Sequence, residues 1–202
     1  CSYRGKTIKK MVLTLSGVKK NAHNSGGSIT VANGLNNGIM YNNITGQDLD
    51  MQFYDDQDNL ITFGDDAYIT IGSLNGYSSP CTECAQILSD GEALSLPQSG
   101  VVKHDNNQVY MDDGKTWPGA IGLDHSFDSW DNSTQPNRIF GSASFHFKGS
   151  HLKMRAFLKT DLTTDDNAKG IYDDGWHHTP TFIWSTMTPQ TSFDAQAPKL
   201  EI

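Results

Sequence analysis

The stretch from Trp117 to Phe147 is the part of this sequence best equipped to grip another molecule. It carries Trp117, Asp124, His125, Phe127, Asp128, Trp130, Asp131, Asn132, Asn137 and Arg138 in close succession. Tryptophan offers a flat apolar face that stacks on sugar rings or anchors a protein contact, while Asp, Asn and Arg supply directed hydrogen bonds. Trp117, Asp124, Asp128, Trp130, Asn132, Asn137 and Arg138 are therefore the candidate ligand-binding residues. The competing reading makes both tryptophans ordinary core aromatics joined by a polar loop. The length and polarity of that loop tip the balance toward a binding surface.

Acidic clusters raise a second kind of chemistry. Asp55, Asp56 and Asp58 crowd together with Asn59; Asp165, Asp166 and Asn167 form another group, and Asp173 with Asp174 a third. Calcium takes about six to eight oxygen ligands, which Asp- and Asn-rich loops can provide. None of the clusters follows the calcium-loop pattern that closes on a Glu, and Asp-Asn turns are also common between strands. Asp55, Asp56 and Asp58 are the metal candidates, with a structural calcium the only cofactor suggested and none required for binding. The adjacent His177 and His178 face opposite ways on a strand and so cannot both ligate one ion.

Catalytic constellations are poorly supported. Glycosidases use two carboxylates roughly 5–10 Å apart, commonly Glu residues at alternate strand positions in sandwich folds. Here the only Glu residues are Glu83, Glu92 and Glu201. Ser25-Gly26-Gly27-Ser28 lacks the context of a nucleophile elbow. The expectation is a binding protein and not an enzyme. Cys81 and Cys84 form a C-x-x-C pair in loop-like sequence, read as a disulfide staple or free thiols in preference to a redox pair, and Cys1 could also pair with either. Cys1 is otherwise a lipidated first residue or a truncation point.

Bulk composition bounds the partners. The chain has 202 residues, 36% of them hydrophobic, and a formal net charge of −8. Acidic balance gives no general attraction for nucleic acid or anionic lipid, so no nucleic-acid partner is expected. Lys6, Lys9, Lys10, Lys19 and Lys20 are read as a solvated edge. No apolar run reaches the roughly 18 residues of a membrane span, so no membrane insertion is expected.

The elements that must position these residues are strands. Lys6–Leu15, Leu49–Phe53, Tyr68–Leu74 and Thr181–Met187 are rich in β-formers or alternate apolar with polar. Leu60–Phe63 returns after the Asp55–Asn59 turn to make one hairpin. Val101–Lys103 and Gln108–Met111 flank a second, around Asp105-Asn106-Asn107. Ile139–Phe147 and His151–Leu158 read as a third. Cys84–Leu88 is the only short helix the pattern allows. Strands this frequent predict an all-β fold: an elaborated antiparallel β-sandwich with long loops, one monomeric domain over 1–202, with 196–202 able to begin a linker.

Several stretches resemble the variable domain of streptococcal antigen I/II adhesins, a domain type shared with glucan-binding protein C and enterococcal aggregation substance. Ser2-Tyr3-Arg4-Gly5-Lys6-Thr7-Ile8-Lys9-Lys10-Met11-Val12-Leu13-Thr14 resembles their "Y-x-G-K-x-I-x-K-V-V-Y-T" strand. Phe53–Phe63 resembles "F-Y-D-x-x-G-N-x-I-x-F", Ala67–Asn75 "L-x-S-V-x-S-L-N", and Asn107–Tyr110 "N-G-K-I-Y". Ser129–Gly141, which contains Trp130-Asp131-Asn132, resembles "G-W-D-S-S-x-x-P-N-x-W-Y-G-A-G". The matches run in family order, each modest and moderately specific together. They depart from the family at Gly26-Gly27, at the Cys81/Cys84 loop, and in how little precedes the first strand.

The resemblance implies a β-supersandwich-like domain on an extracellular, cell-wall-anchored adhesin, mediating adherence through a groove. Implied partners are host glycoproteins, of the salivary scavenger-receptor type, or cell-surface glycans. It also implies, in some relatives, a structural calcium or magnesium near that groove. A structural spacer that displays other domains is the alternative role, and a carbohydrate-active enzyme the remoter one. If an Asp cluster holds calcium, the melting temperature in millimolar calcium will exceed that in chelator; superimposable melting curves would remove the metal.

Overall fold

A computed structural model describes residues 2–20, 28–31, 39–42, 44–75, 82–112, 136–159, 184–185 and 187–190. The strands, in chain order, are β1 (Ser2–Tyr3), β2 (Lys6–Thr7), β3 (Lys10–Lys20), β4 (Ser28–Val31), β5 (Ile39–Asn42), β6 (Ile44–Tyr54), β7 (Phe63–Ile71) and β8 (Thr82–Ile87). They continue with β9 (Gly91–Ser95), β10 (Val101–His104), β11 (Gln108–Met111), β12 (Ala143–Gly149), β13 (Leu152–Lys159), β14 (Trp184–Ser185) and β15 (Met187–Gln190). Strand formation follows from alternation. In β6, Leu49, Met51 and Phe53 are buried while Asp48, Asp50 and Gln52 are part-exposed on the other face.

Two large antiparallel sheets share one core. The larger has six strands in the order β10-β11-β8-β13-β6-β3, and the smaller four in the order β15-β7-β12-β9. Short sheets β1-β2 and β14-β5-β4 accompany them. Phe63 of the smaller sheet meets Phe53 of the larger edge-on at 5.4 Å between ring centroids, Phe147 at 5.0 Å and Tyr3 at 4.8 Å. Gly91 is needed where β9 runs against β12, because a Cβ there would stand 2.2 Å from the His146 carbonyl oxygen. The all-β antiparallel architecture is as expected.

Three local expectations are corrected or refined. Cys84–Leu88 is not helical: Thr82–Ile87 is a strand paired with β11 on one side and β13 on the other. Hydrogen bonding on both flanks overrides the modest helix preference of Ala85 and Gln86. The proposed third hairpin does not form either. β12 pairs with β7 and β9, β13 with β6 and β8, so the chain crosses from one sheet to the other between them. Gly149, at φ +96°, makes the arch. Phe145 and Phe147 can then face Leu152 and Met154 across the core instead of lying beside them. The turn after β6 does form, with a bridge between Tyr54 and Leu60, but from Phe63 onward the chain belongs to the opposite sheet. The β10–β11 hairpin stands as read, with Asn106 and Asn107 in left-handed conformation (φ 60° and 56°).

Carboxylates secure these connections. Asp55 is buried and accepts hydrogen bonds from the backbone N–H groups of Gln57 (3.0 Å) and Asn59 (2.8 Å), and from Asn59 Nδ2 (3.3 Å). Burial works to raise its pKa, and the hydrogen bonds from Asn59 and Gln57 outweigh it, leaving it below the ordinary value. Asp48 is held low mainly by the Arg155 guanidinium, which grips it in a fork at 2.6 and 2.9 Å. Asp66 is held low by hydrogen bonds from the Tyr3 hydroxyl and Arg4.

All three carboxyl groups thus titrate in the folded protein below the ordinary 3.8. Their stabilisation is complete above that pH and is lost as pH falls through the lower folded values. The melting temperature is expected to stay level from neutral pH to about pH 5 and to drop below about pH 4. Asp48→Asn should lower the plateau and soften that drop. A melting curve insensitive to pH in the acid range would contradict this account.

Candidate ligand-binding site

The two ends of the sandwich differ. β3 and β13 end, and β6 and β8 begin, at the same end, since Lys20 pairs with Ile44, Phe157 with Gly46 and Lys159 with Thr82. β7 ends and β12 begins there too, with Ala143 opposite Ile71 and Ser95. Residues 21–27, 76–81, 113–135 and 160–183 all attach at this end. Among the described residues, the connections at the opposite end are short, at 55–62, 88–90, 105–107 and 150–151. Long connections on one end of a strand scaffold are the usual seat of recognition.

A buried polar hub ties the sheets together at the loop-bearing end. Ser99 Oγ accepts from the Val101 N–H (2.9 Å) and lies within hydrogen-bond reach of the carbonyl oxygens of Phe140 (2.9 Å) and Ser142 (2.7 Å). Ser142 Oγ donates to the Arg138 carbonyl at 2.7 Å. Gly100 N–H donates to Phe140 O at 2.9 Å, and Leu74 N–H to Gly141 O at 2.9 Å. Beside them Glu83, only 2% exposed, accepts from the backbone N–H (2.8 Å) and side-chain Nδ2 (3.1 Å) of Asn75. The start of β10, the lead into β12 and the turn after β7 are thereby fixed to one another.

This hub bears directly on the candidate residues. Asn137 and Arg138 sit on a 3-10 turn, Pro136–Ile139, held by Phe140 N–H donating to Asn137 O at 2.9 Å. Arg138 is exposed; Asn137 is buried beneath the surface. Trp117, Asp124, Asp128, Trp130 and Asn132 lie outside the described residues, within the segment between Asp112 and Pro136 whose ends the hub anchors. Asp112 N–H itself donates to Gly100 O at 3.3 Å.

The other candidates are placed elsewhere. Asp55, Asp56 and Asp58 lie at the short-turn end, away from Arg138. Asp55 is committed to its turn, Asp56 is exposed, and Asp58 pairs with Lys10 at 3.1 Å. Among the described residues, no group of three or more His, Cys, Asp or Glu side chains could share a metal ion. Cys84 is fully buried on β8, its Sγ 3.4 Å from the Thr82 carbonyl oxygen, and Cys81 lies outside the described residues. His177 and His178 lie outside them as well. Ser99 and Ser142 were missed from sequence, because an isolated Ser in a turn carries no periodic or motif signal; Asn75 stood only as the end of a family-like stretch, and Glu83 only as one of three Glu residues.

The sequence matches the family model described as "Glucan-binding protein C" over residues 1–186. The chain belongs to the glucan-binding protein C family. Among curated proteins nothing matches significantly. Among solved structures the family member is similar to the glucan-binding protein C of Streptococcus mutans, at 20% identity and a TM-score of 0.61, over 92% of this chain and 53% of that one. That structure is described as evidence that the S. mutans protein mediates both sucrose-independent and sucrose-dependent adherence. The adhesin domain of PrgB from Enterococcus faecalis is similar at 20% identity and a TM-score of 0.62 in a form bound to DNA, over 81% of this chain and 59% of that one. A second PrgB structure gives 18% identity and a TM-score of 0.58. The chain therefore spans between half and three-fifths of the structures it matches, and at these identities they speak to the fold.

If the hub fixes the loop-bearing end, Ser99→Ala will leave the Val101 N–H buried without a partner. The expected loss is about 1–3 kcal/mol, read as a lower urea midpoint at unchanged slope. An unaltered midpoint would show that the hub contributes nothing to stability.

Proposed function

We propose that this chain is the ligand-binding domain of a bacterial surface adhesin and that it binds carbohydrate without chemical turnover. The observation that carries the reading is membership of the glucan-binding protein C family over residues 1–186. The segment bearing Trp117 and Trp130 is flanked by described residues that a polar hub holds at one end of the sandwich. The tryptophans supply stacking faces, and Asp124, Asp128, Asn132 and Arg138 orient the ligand. Asn137 supports the turn from below. The two described Glu residues serve the fold: Glu83 holds Asn75, and Glu92 pairs with Lys103 at 3.3 Å.

Glucans are the first ligand class to examine, with host glycoproteins of the salivary scavenger-receptor type as the second. The setting is extracellular, on a wall-anchored protein. DNA belongs in the same panel because the E. faecalis PrgB adhesin domain has been solved with it. The net charge of −8 works against such binding here.

The test is surface-binding measurement against dextrans, immobilised salivary glycoproteins and single-stranded DNA, with and without calcium. Saturable glucan binding that weakens about tenfold or more in Trp130→Ala, at unchanged melting temperature, is expected. Binding to nothing in the panel would sink the adhesin reading in favour of a spacer domain. Preferential DNA binding would replace the ligand class.

A further inference from the structure

At the end remote from the long connections, the β10–β11 hairpin forms an open polar cleft of about 550 Å³, lined by Lys103, His104, Asp105, Asn106, Gln108 and Tyr110. That volume falls within the range of roughly 300–1,000 Å³ typical of small-molecule sites. The rings of His104 and Tyr110 stack in its wall, with centroids 3.5 Å apart and planes inclined by 2°. Both side chains point outward, because Val101, Val109 and Met111 take the core-facing positions of the two strands. The turn is pinned from below by Gln86 Nε2, which donates to the Asn106 carbonyl at 3.0 Å.

The chemistry of the lining favours a neutral, hydroxyl-rich ligand. Lys103 is already paired with Glu92, so the cleft presents amides, an imidazole, a phenol and one carboxylate in place of a basic anion trap.

The cleft also opens onto a polar row that crosses the sheet. His104 pairs in register with Gln108, Gln108 with Gln86, Gln86 with Arg155, Arg155 with Asp48, and Asp48 with Ser16. Each lies on the outward face, one strand spacing of about 4.8 Å from the next. That step is close to the length of one pyranose unit, so successive rings of a glycan can meet successive side chains.

We propose that this hairpin is a second carbohydrate subsite, taking a neutral pyranose ring against the His104–Tyr110 pair and leading its neighbours along the polar row. The inference rests on the carbohydrate reading above and adds a site at the other end of the sandwich. Two attachment points on one domain would let a single glucan chain be held at both.

The experiment is an amide-shift titration of the isotope-labelled chain with isomaltose-series and maltose-series oligomers of increasing length, in wild type and Trp130→Ala. Shifts at residues 102–110 and Gln86, affinity that rises with oligomer length, and persistence in Trp130→Ala are the expected result. Gln108→Ala and Tyr110→Leu should each weaken those shifts about tenfold, and Tyr110→Phe should preserve them. Gln108→Ala carries the test if Tyr110→Leu fails to fold. Shifts confined to 99–100 and 136–142, abolished by Trp130→Ala, would overturn the subsite and leave the adhesin reading standing. A response at the hairpin alone, indifferent to Trp130, would keep the subsite and remove the loop-end site. Oligodeoxythymidylate moving the hairpin where sugars do not would overturn the carbohydrate assignment, and silence everywhere would overturn both.

Discussion

Two sheets of unequal width share one core, and an aromatic cluster ties them where the chain passes from one to the other. Phe63 leads β7 away from the larger sheet, yet its ring remains against Phe53 of that sheet as well as Phe147 of its own. Tyr3 closes the same cluster, and its hydroxyl both accepts from the Gly64 N–H and donates to Asp66. Fully burying an aromatic side chain of this kind is worth about 1.5–3 kcal/mol, before any gain from ring geometry. The contact holds the two layers together at the point where the chain leaves β6 for β7.

Those ends have opposite characters. At one, Asp55, Asn106 and Gly149 close connections of a few residues, each satisfying its own backbone or adopting a conformation the residue tolerates. At the other, backbone carbonyls from Phe140, Gly141 and Ser142 are gathered by Ser99 and by the N–H groups of Gly100 and Leu74. These bonds fix the described ends of the strands to one another across the two sheets.

Most of the strands were legible because burial on one face leaves a period of two, as in Leu49, Met51 and Phe53. Their partners were less so. Ile139–Phe147 and His151–Leu158 are separated by a Lys-Gly-Ser turn that suits a hairpin equally well as an arch, and only the need to bury Phe145 against the other layer decides between them. Cys84–Leu88 misled because Ala, Gln and Leu favour helices when pairing is ignored. The candidate site was read from the resemblance and the two tryptophans, which lie outside the described residues; of its members only Asn137 and Arg138 are placed. Its anchoring by Ser99, Glu83 and Asn75 depends on contacts between residues far apart in sequence, such as Ser99 with Ser142, which no local pattern encodes.

The crossover between β12 and β13 has a consequence for how the chain acquires its shape. In the larger sheet, β13 is inserted between β6 and β8, so Asp48 finds Arg155 across 107 positions of sequence. The first half of the protein can pair β3 with β6 as soon as both exist. It cannot join that pair to β8 until the polypeptide has been made as far as Lys159. Loop closure over such separations slows folding, since the entropy of closing the loop is lost before the contacts form. During synthesis the edge of β6 that will receive β13 stays open, and folding of the whole sheet waits on a strand that arrives late.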